Sequence, residues 1–443
     1  MRVKLLNIIC SILNMGGGLI QLIAKGKSDV YITGNPQFSF FKSVYRRHTN
    51  FTIESIEQSV HGLSVGECNV HTKLSRSGDL ITNIWIEALL DRGDAQGDNS
   101  TSYINWTDNT GHALLKECSI SIGGQLIDKH DSNWLDIRSE IHDTFTKEWI
   151  GLNKHAAKNP YLKSGSITSN NEKTKVYIPL HFWFCNNPGL ALPIISLKKH
   201  DVEFKMTLRS VEKLLNSDTI APLTYTNTIP NVKVWCDYIF LDKEEKMKFL
   251  TEKRAYLIEQ VQQGTYTMGN KVELKFNHPV KELFWFTQNK QVSSASPNNG
   301  SIDAASNTVG SLTQYNDYFN YKNTQQGNTE NIYGVRSNES FLSMNITMNT
   351  IERFSKRDAT YFRLCQPIQS KHRLPTKLIY MYSFALEPEK HQPSGTCNFS
   401  KIDDIFMNFE TNIDHSNEHL KVYALNYNVL IVTSGMGGLV YKT

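Results

Sequence analysis

The segment from Leu378 to Ile402 sets the strongest constraint on what this chain can become. Leu378 to Leu386 is a run of aliphatic and aromatic residues, Pro388 and the cluster Pro393-Ser394-Gly395 break it, and Cys397, Phe399 and Ile402 restore apolar character. An apolar run, a Pro/Gly corner and a second run read as strand, turn and strand. Such a corner is scaffold, because no acid, base or nucleophile in it is placed for catalysis.

The rest of the chain repeats this punctuation. Its 443 residues exceed what one core serves, and ~150 residues per domain gives about two or three domains. Aromatic residues are plentiful (21 Phe, 19 Tyr, 7 Trp), Asn-rich turns are frequent, and Ala/Leu/Glu/Lys runs at 3.6 spacing are scarce. The class is all-β with short helices.

Strands are predicted at Phe51–Val60, Asn69–Leu74, Leu80–Leu90, Ser119–Asp128, Lys175–Phe184, Val202–Leu208 and Val232–Leu241. Along the last of these, alternation puts Val232, Val234 and Cys236 on one face and Trp235 and Asp237 on the other. Two helices intervene, at about Asp108–Glu117 and Ser132–Asn153, the second with Trp134, Ile137, Ile141 and Phe145 on one face. The charged stretch Asp242–Arg254 reads as a short helical linker and a domain boundary. Beyond it, strands are predicted at Tyr256–Val261, Val272–Phe276, Glu282–Phe286, Phe341–Thr347, Leu378–Leu386, Asp404–Glu410, Val422–Leu425 and Asn428–Val432. Gln288–Asn331 is rich in Asn, Ser, Gly, Gln and Thr, cannot build a core, and is expected at a surface together with Asp91–Asp108. No residue-level repeat links the two halves.

Several stretches, in the same order, resemble the major capsid proteins of large double-stranded DNA viruses of eukaryotes, the phycodnavirus, iridovirus and mimivirus-like group. They are Asp29-Val-Tyr-Ile-Thr-Gly-Asn-Pro-Gln-Phe-Ser-Phe-Phe41 running on to Phe51, Lys175-Val-Tyr-Ile-Pro-Leu-His-Phe-Trp-Phe184 with Asn187-Pro-Gly-Leu-Ala-Leu-Pro193, Ser383-Phe-Ala-Leu-Glu-Pro-Glu-Lys-His-Gln-Pro-Ser-Gly-Thr-Cys-Asn-Phe-Ser400, and the tail Tyr427–Tyr441 with its Gly435-Met-Gly-Gly438. The resemblance implies two eight-stranded antiparallel jelly-roll sandwiches in tandem, with short helices in the loops. It divides the chain into an arm (1–28), a first jelly roll (29–241), the linker (242–254) and a second jelly roll (255–443). It further implies a structural protein that forms homotrimeric, pseudo-hexagonal capsomers in an icosahedral virion shell assembled in the host cytoplasm. Neighbouring capsomers and minor capsid proteins are the expected partners. The alternative from another class is a glycan- or receptor-binding jelly-roll spike or minor capsid protein.

Charge is unevenly spread. Residues 1–50 carry Arg2, Lys4, Lys25, Lys27, Lys42, Arg46 and Arg47 against the single acid Asp29, a balance of +6, which leaves 40 basic and 42 acidic residues for the other 393. Such an arm fits an anionic surface, here the internal viral membrane or acidic minor capsid proteins, and equally a solvated tail. Met15 opens Met-Gly-Gly-Gly-Leu-Ile, which resembles the usual start of the family. Residues 1–14 therefore read either as a brief signal-like stretch or as an extension from an upstream start codon.

No catalytic, cofactor or metal residue is nominated. Gly26-Lys27-Ser28 copies the end of a phosphate-binding loop, but Gln21 stands where its first glycine is required. His415 and His419 flank Glu418 at a ligand-like spacing, yet their turn-forming surroundings read as a solvated loop, and the remaining histidines are expected to form no cluster. Asp403-Asp404 has no acid partner for glycoside hydrolysis. Seven scattered cysteines, with no Cys-x-x-Cys, read as free thiols in a reducing compartment, with Cys118 and Cys236 in the core. Sequons at Asn50, Asn99, Asn105, Asn338, Asn345 and Asn398 are near background, so no conventional glycosylation is expected. Arg46-Arg47-His48 beside Tyr45 and Phe51 is read as packing under a neighbouring subunit, with no sequence-specific nucleic-acid binding expected.

Overall fold

The structure, a computed structural model, describes residues 26, 29–43, 45–90, 103–107, 109–142, 162–163, 174–217, 231–290, 293–294, 315–316, 318–319, 321, 339–411, 415–416 and 418–441. By internal contacts the chain divides into Met1–Asn50 and Phe51–Thr443. In the first unit a single helical turn, α1 (Asp29–Thr33), is capped where the Gly26 N–H donates to Asp29 Oδ2 at 2.7 Å. Every sheet among the described residues belongs to the second unit.

Strict alternation in the sequence builds the first sandwich. Its strands are β1 (Phe51–Gln58), β2 (Cys68–Lys73), β3 (Leu80–Leu90), β4 (Leu115–Ile122), β5 (Gln125–Asp131), β6 (Thr174–Pro179), β7 (Val202–Leu208) and β8 (Asn231–Leu241). They form two four-stranded antiparallel sheets, ordered β1-β8-β3-β6 and β2-β7-β4-β5. Between β3 and β8 the register sets Val234 opposite Ile86 and Cys236 opposite Ile84, all buried, so one face of each strand closes the core. Two short helices, α2 (Thr110–Leu114) and α3 (Ser132–Ile141), pack against it with most of their residues buried. Asp131 starts α3 by accepting from the Trp134 N–H at 2.8 Å.

A charged helix, α4 (Lys243–Thr251), follows; the Asp242 carboxylate accepts from the Lys243 N–H, and none of its side chains is buried. The second sandwich contains β9 (Arg254–Thr267), β10 (Lys271–Glu273), β11 (Pro279–Asn289), β12 (Ser343–Met348), β13 (Ile351–Glu352), β14 (Tyr380–Ser383), β15 (Ile405–Glu410) and β16 (Glu418–Thr433). Its sheets run β9-β16-β11-β14 and β10-β15-β12-β13. Adding eight to every label of the first sandwich reproduces this order, so the chain carries one jelly-roll topology twice. Short strands extend the second pair of sheets to six and five strands; Cys397–Asn398 pairs with β11, and β17 (Met436–Leu439) pairs with β16.

Four expectations change. The strand read as Ser119–Asp128 is the hairpin β4–β5, because Gly123 (φ 57°) and Gly124 (φ 80°) take the left-handed conformations that a two-residue turn needs. The helix read as Asp108–Glu117 stops at Leu114, where Leu115 turns extended and enters β4; of the helix read as Ser132–Asn153, α3 covers Ser132–Ile141, and residues 143–153 with Phe145 lie outside the described residues. The two strands read in Val422–Val432 are one strand of 16 residues, since Asn426 and Asn428 are held by side-chain hydrogen bonds within the sheet. The polar insertion is not confined to a surface. Tyr318, Phe319 and Tyr321 are buried, and Tyr321 packs on Phe286 with ring centroids 4.0 Å apart.

Candidate functional site

The two sandwiches meet along a seam with an aromatic centre. Trp134 of α3 stacks against Tyr423 of β16 and meets Phe284 of β11 edge-on, at centroid distances of 5.8 and 5.7 Å. This apolar surface is continuous with the core of the first sandwich, which also takes in Phe286, Met381, Leu430 and Val432 from the second. Two carboxylates inside it have both oxygens hydrogen-bonded. Asp131 caps α3 with one oxygen and accepts from the Tyr423 hydroxyl with the other at 2.8 Å. Asp136 accepts from Lys377 Nζ (2.7 Å), the Tyr321 hydroxyl (2.8 Å) and Asn109 Nδ2 (2.8 Å). Burial pushes the Asp136 carboxyl above the usual range although Lys377 opposes it. The Val261 N–H donates to Asp128 at 3.1 Å, so β9 lies against the edge strand β5.

The tail completes the seam. The Lys199 N–H donates to the Gly435 carbonyl at 2.8 Å, and the Leu439 N–H donates to Gln125 Oε1 at 3.2 Å. A Cβ on Gly437 would stand 2.8 Å from Leu197 Cδ2 and 3.2 Å from Ile122 Cγ2, so glycine lets β17 close on the first sandwich.

Beside the aromatic centre lies a charged patch. His142 at the end of α3 and His372 both place Nδ1 on Glu389 Oε1, at 2.8 and 2.7 Å, and His372 Nε2 sits 2.6 Å from Glu282 Oε1. Lys281 donates to Glu259 (2.6 Å) and to the Pro388 carbonyl (2.8 Å). Burial works against a charged His372, yet Glu282 and Glu389 overcome it and raise its pKa to about 9. His142 moves the other way: burial, helped by Arg138, holds it well below the ordinary imidazole value. Next to these groups is a cavity of about 220 Å³ whose wall includes Trp183, Leu190, Glu259, Lys281 and His391.

Apolar surface is left uncovered elsewhere. In the arm Phe38, Phe40, Phe41 and Tyr45 are 70%, 88%, 99% and 89% exposed. On the edge strand β1, Phe51 and Ile53 remain about half exposed.

Comparison with known proteins decides what carries these features. The family described as "Major capsid protein N-terminus" matches residues 39–242, and "Large eukaryotic DNA virus major capsid protein" matches 245–438. The major capsid protein of Pyramimonas orientalis virus is 36% identical over 97% of this chain and 100% of its own length. That of Paramecium bursaria Chlorella virus 1 is 36% identical over 96% and 100%. Among solved structures, the PBCV-1 virus capsid quasi-atomic model aligns with a TM-score of 0.74 at 32% identity, covering 91% of this chain and 100% of the other. The chain belongs to the major capsid protein family of large eukaryotic DNA viruses.

As a member of that family, this is a structural capsid protein with a double jelly-roll fold, and its signature segments acquire physical roles. The Pro-Ser-Gly corner joins β14 to the short strand Cys397–Asn398, both paired with β11. Gly395 (φ 144°) passes so close that a Cβ would meet the Phe384 carbonyl oxygen at 2.6 Å. Cys397 is half-buried 3.9 Å from Met348 Sδ, with its thiol pKa raised by burial.

Asp403 and Asp404 are exposed, and their backbone N–H groups donate to Asn349 Oδ1 in a turn. His415 is not in a solvated loop: it is buried against Glu418 Oε2 at 2.8 Å and shares a hydrogen bond with Thr411. His419 follows Glu418 in β16 and points to the opposite face. The histidines excluded as a cluster do form one, at His142 and His372. Cys118 and Cys236 are fully buried core residues, and the six described cysteines are unbridged. Asn345 is 3% exposed and bonded to Glu352 and Asn408, which closes that sequon to a glycan in the folded chain. Lys27, Ser28, Asn99 and Asn338 lie outside the described residues; Asn105 is in the strand Tyr103–Trp106.

Proposed function

We propose that three copies of this chain associate into a capsomer of pseudo-hexagonal outline, and that these capsomers tile an icosahedral shell. The observation that carries the reading is the repeated strand order. Two sandwiches of one topology, fixed to each other by the seam, make three chains present six near-equivalent corners. In this reading 29–241 and 255–443 are the two sandwich domains, 242–254 is their linker, and the role is association without catalysis. The uncovered aromatic residues of the arm and β1 supply apolar area for contacts between subunits, where an obligate interface buries on the order of 2,000 Å² or more.

Capsomer-to-capsomer contacts and minor capsid proteins complete the set of partners, in a shell assembled in the host cytoplasm. The +6 arm of residues 1–50 faces an internal membrane or acidic minor capsid proteins. Native mass measurement of the purified protein, with electron microscopy of its assemblies, tests the reading. Trimers and hexagonal tiles are expected; a stable monomer overturns it. Deleting residues 1–50 should leave folded trimers yet abolish closed shells, and normal particle yield would remove the arm from the scheme.

A further inference from the structure

Shell building makes no use of the charged patch at the seam, although three of its side chains come from three separate segments. His142 ends a helix of the first sandwich, His372 lies in the loop before β14, and Glu389 belongs to the signature corner. One ligand atom from each lies within 4.8 Å of the others. We propose that His142, His372 and Glu389 form a Zn²⁺ site that staples the signature corner to both sandwiches.

Two imidazoles and a carboxylate suit this ion, whereas Ca²⁺ needs six to eight oxygen ligands. The two Nδ1 atoms already converge on Glu389 Oε1 at 2.8 and 2.7 Å. A tetrahedral Zn²⁺ with bonds of about 2.0–2.1 Å keeps its ligand atoms about 3.3 Å apart, so each contact has to open by roughly 0.6 Å. Glu389, with a side chain 40% exposed, is the member free to give way, and its exposure also provides the entry route. The cavity of about 220 Å³ leaves room beside His142 and Glu389 for a water, or for His391, as fourth ligand.

The surroundings resemble those of a working metal site. His372 Nε2 points at Glu282 Oε1, and Glu282 is 0% exposed. A metal-bound imidazole ordinarily donates its second N–H to such a carboxylate, which fixes the ring and strengthens it as a donor. Zn²⁺ replaces the proton on His372 Nδ1, and that proton leaves to solvent. Because a ligating imidazole nitrogen must be free of its proton, affinity should rise with pH.

The test uses the full-length protein. After equilibration with excess Zn²⁺ and gel filtration at pH 8, one Zn²⁺ per chain is expected by elemental analysis, with a rise in thermal midpoint that EDTA reverses. Co²⁺ in place of Zn²⁺ should give visible absorption of tetrahedral intensity. His142→Gln with His372→Gln should abolish retention, and Glu282→Gln should weaken it by about 10–100-fold. Should the buried variants fail to fold, the wild-type chain still decides. No retained zinc and no shift in its thermal midpoint, or octahedral Co²⁺ absorption, overturns the proposal; full retention by a folded double-His variant does so equally.

Discussion

The two sandwiches share every strand pairing of the jelly-roll path, yet their cores are made of different material. The first is mainly aliphatic, with Ile81, Ile84, Ile86, Ile120, Ile122, Val176 and Ile178 packed around a smaller set of rings that includes Phe182, Phe184, Phe204 and Tyr238. The second is built on rings and sulfur, from Phe276, Trp285, Phe341, Met344, Phe362, Tyr380, Met407 and Phe409. Strand order is therefore set by where turns and alternating runs fall, while the filling adapts to the space left. This explains why the duplication is invisible at residue level and plain in the hydrogen-bond order.

The contrast can be tested by substitution, starting where the largest effect is expected. Trp285→Ala removes a fully buried ring packed on Phe362 and Tyr380, and should cost about 3–5 kcal/mol in denaturant unfolding. A loss below about 1 kcal/mol would show that the aromatic core is loosely filled. The seam comes next. His372 has its pKa raised from 6.5 to about 9 by Glu282 and Glu389 against the cost of burial, with His142 also facing it. A raised folded-state value gives stability that is whole below about pH 6.5 and is lost as pH climbs through about 9. In the presence of EDTA, stability should fall by about 3 kcal/mol over that window, and His372→Gln should flatten the profile.

Smaller effects sharpen the comparison. Gly437→Ala forces a Cβ against Leu197 and Ile122 where the tail meets the first sandwich, and should cost about 1–3 kcal/mol in thermal unfolding. Ile86→Val in the aliphatic core should cost only about 0.5–1.5 kcal/mol by urea titration. If Ile86→Val cost as much as Trp285→Ala, the two cores would not differ in how they carry stability.

Much of this fold was legible because alternation is a local signal. Leu80–Leu90 and Val202–Leu208 are strands with the bounds their patterns predict, each with one face buried. The reversal inside β4–β5 is marked in the sequence by Gly123-Gly124, a pair that two-residue hairpin turns favour, and reading the stretch by apolar content alone passes over it. Asn426 and Asn428 looked like a break in β16 because the partners that satisfy them, such as Gln260, lie far away in sequence. Tyr318, Phe319 and Tyr321 were visible as rings in a polar stretch, and reading them as anchors would have placed the insertion at the seam. The site was hidden for a stronger reason. His142, His372, Glu282 and Glu389 share no spacing, and only the docking of one sandwich on the other brings them together.

The order β9-β16-β11-β14 has a consequence in time. Because β16 pairs on one side with β9 and on the other with β11, the larger sheet of the second sandwich stays split until Glu418–Thr433 has left the ribosome. The first sandwich is complete at Leu241 and is free to fold while the remainder is still being made. In the capsomer reading proposed above, a nascent chain thus becomes a complete tile only with its last strand.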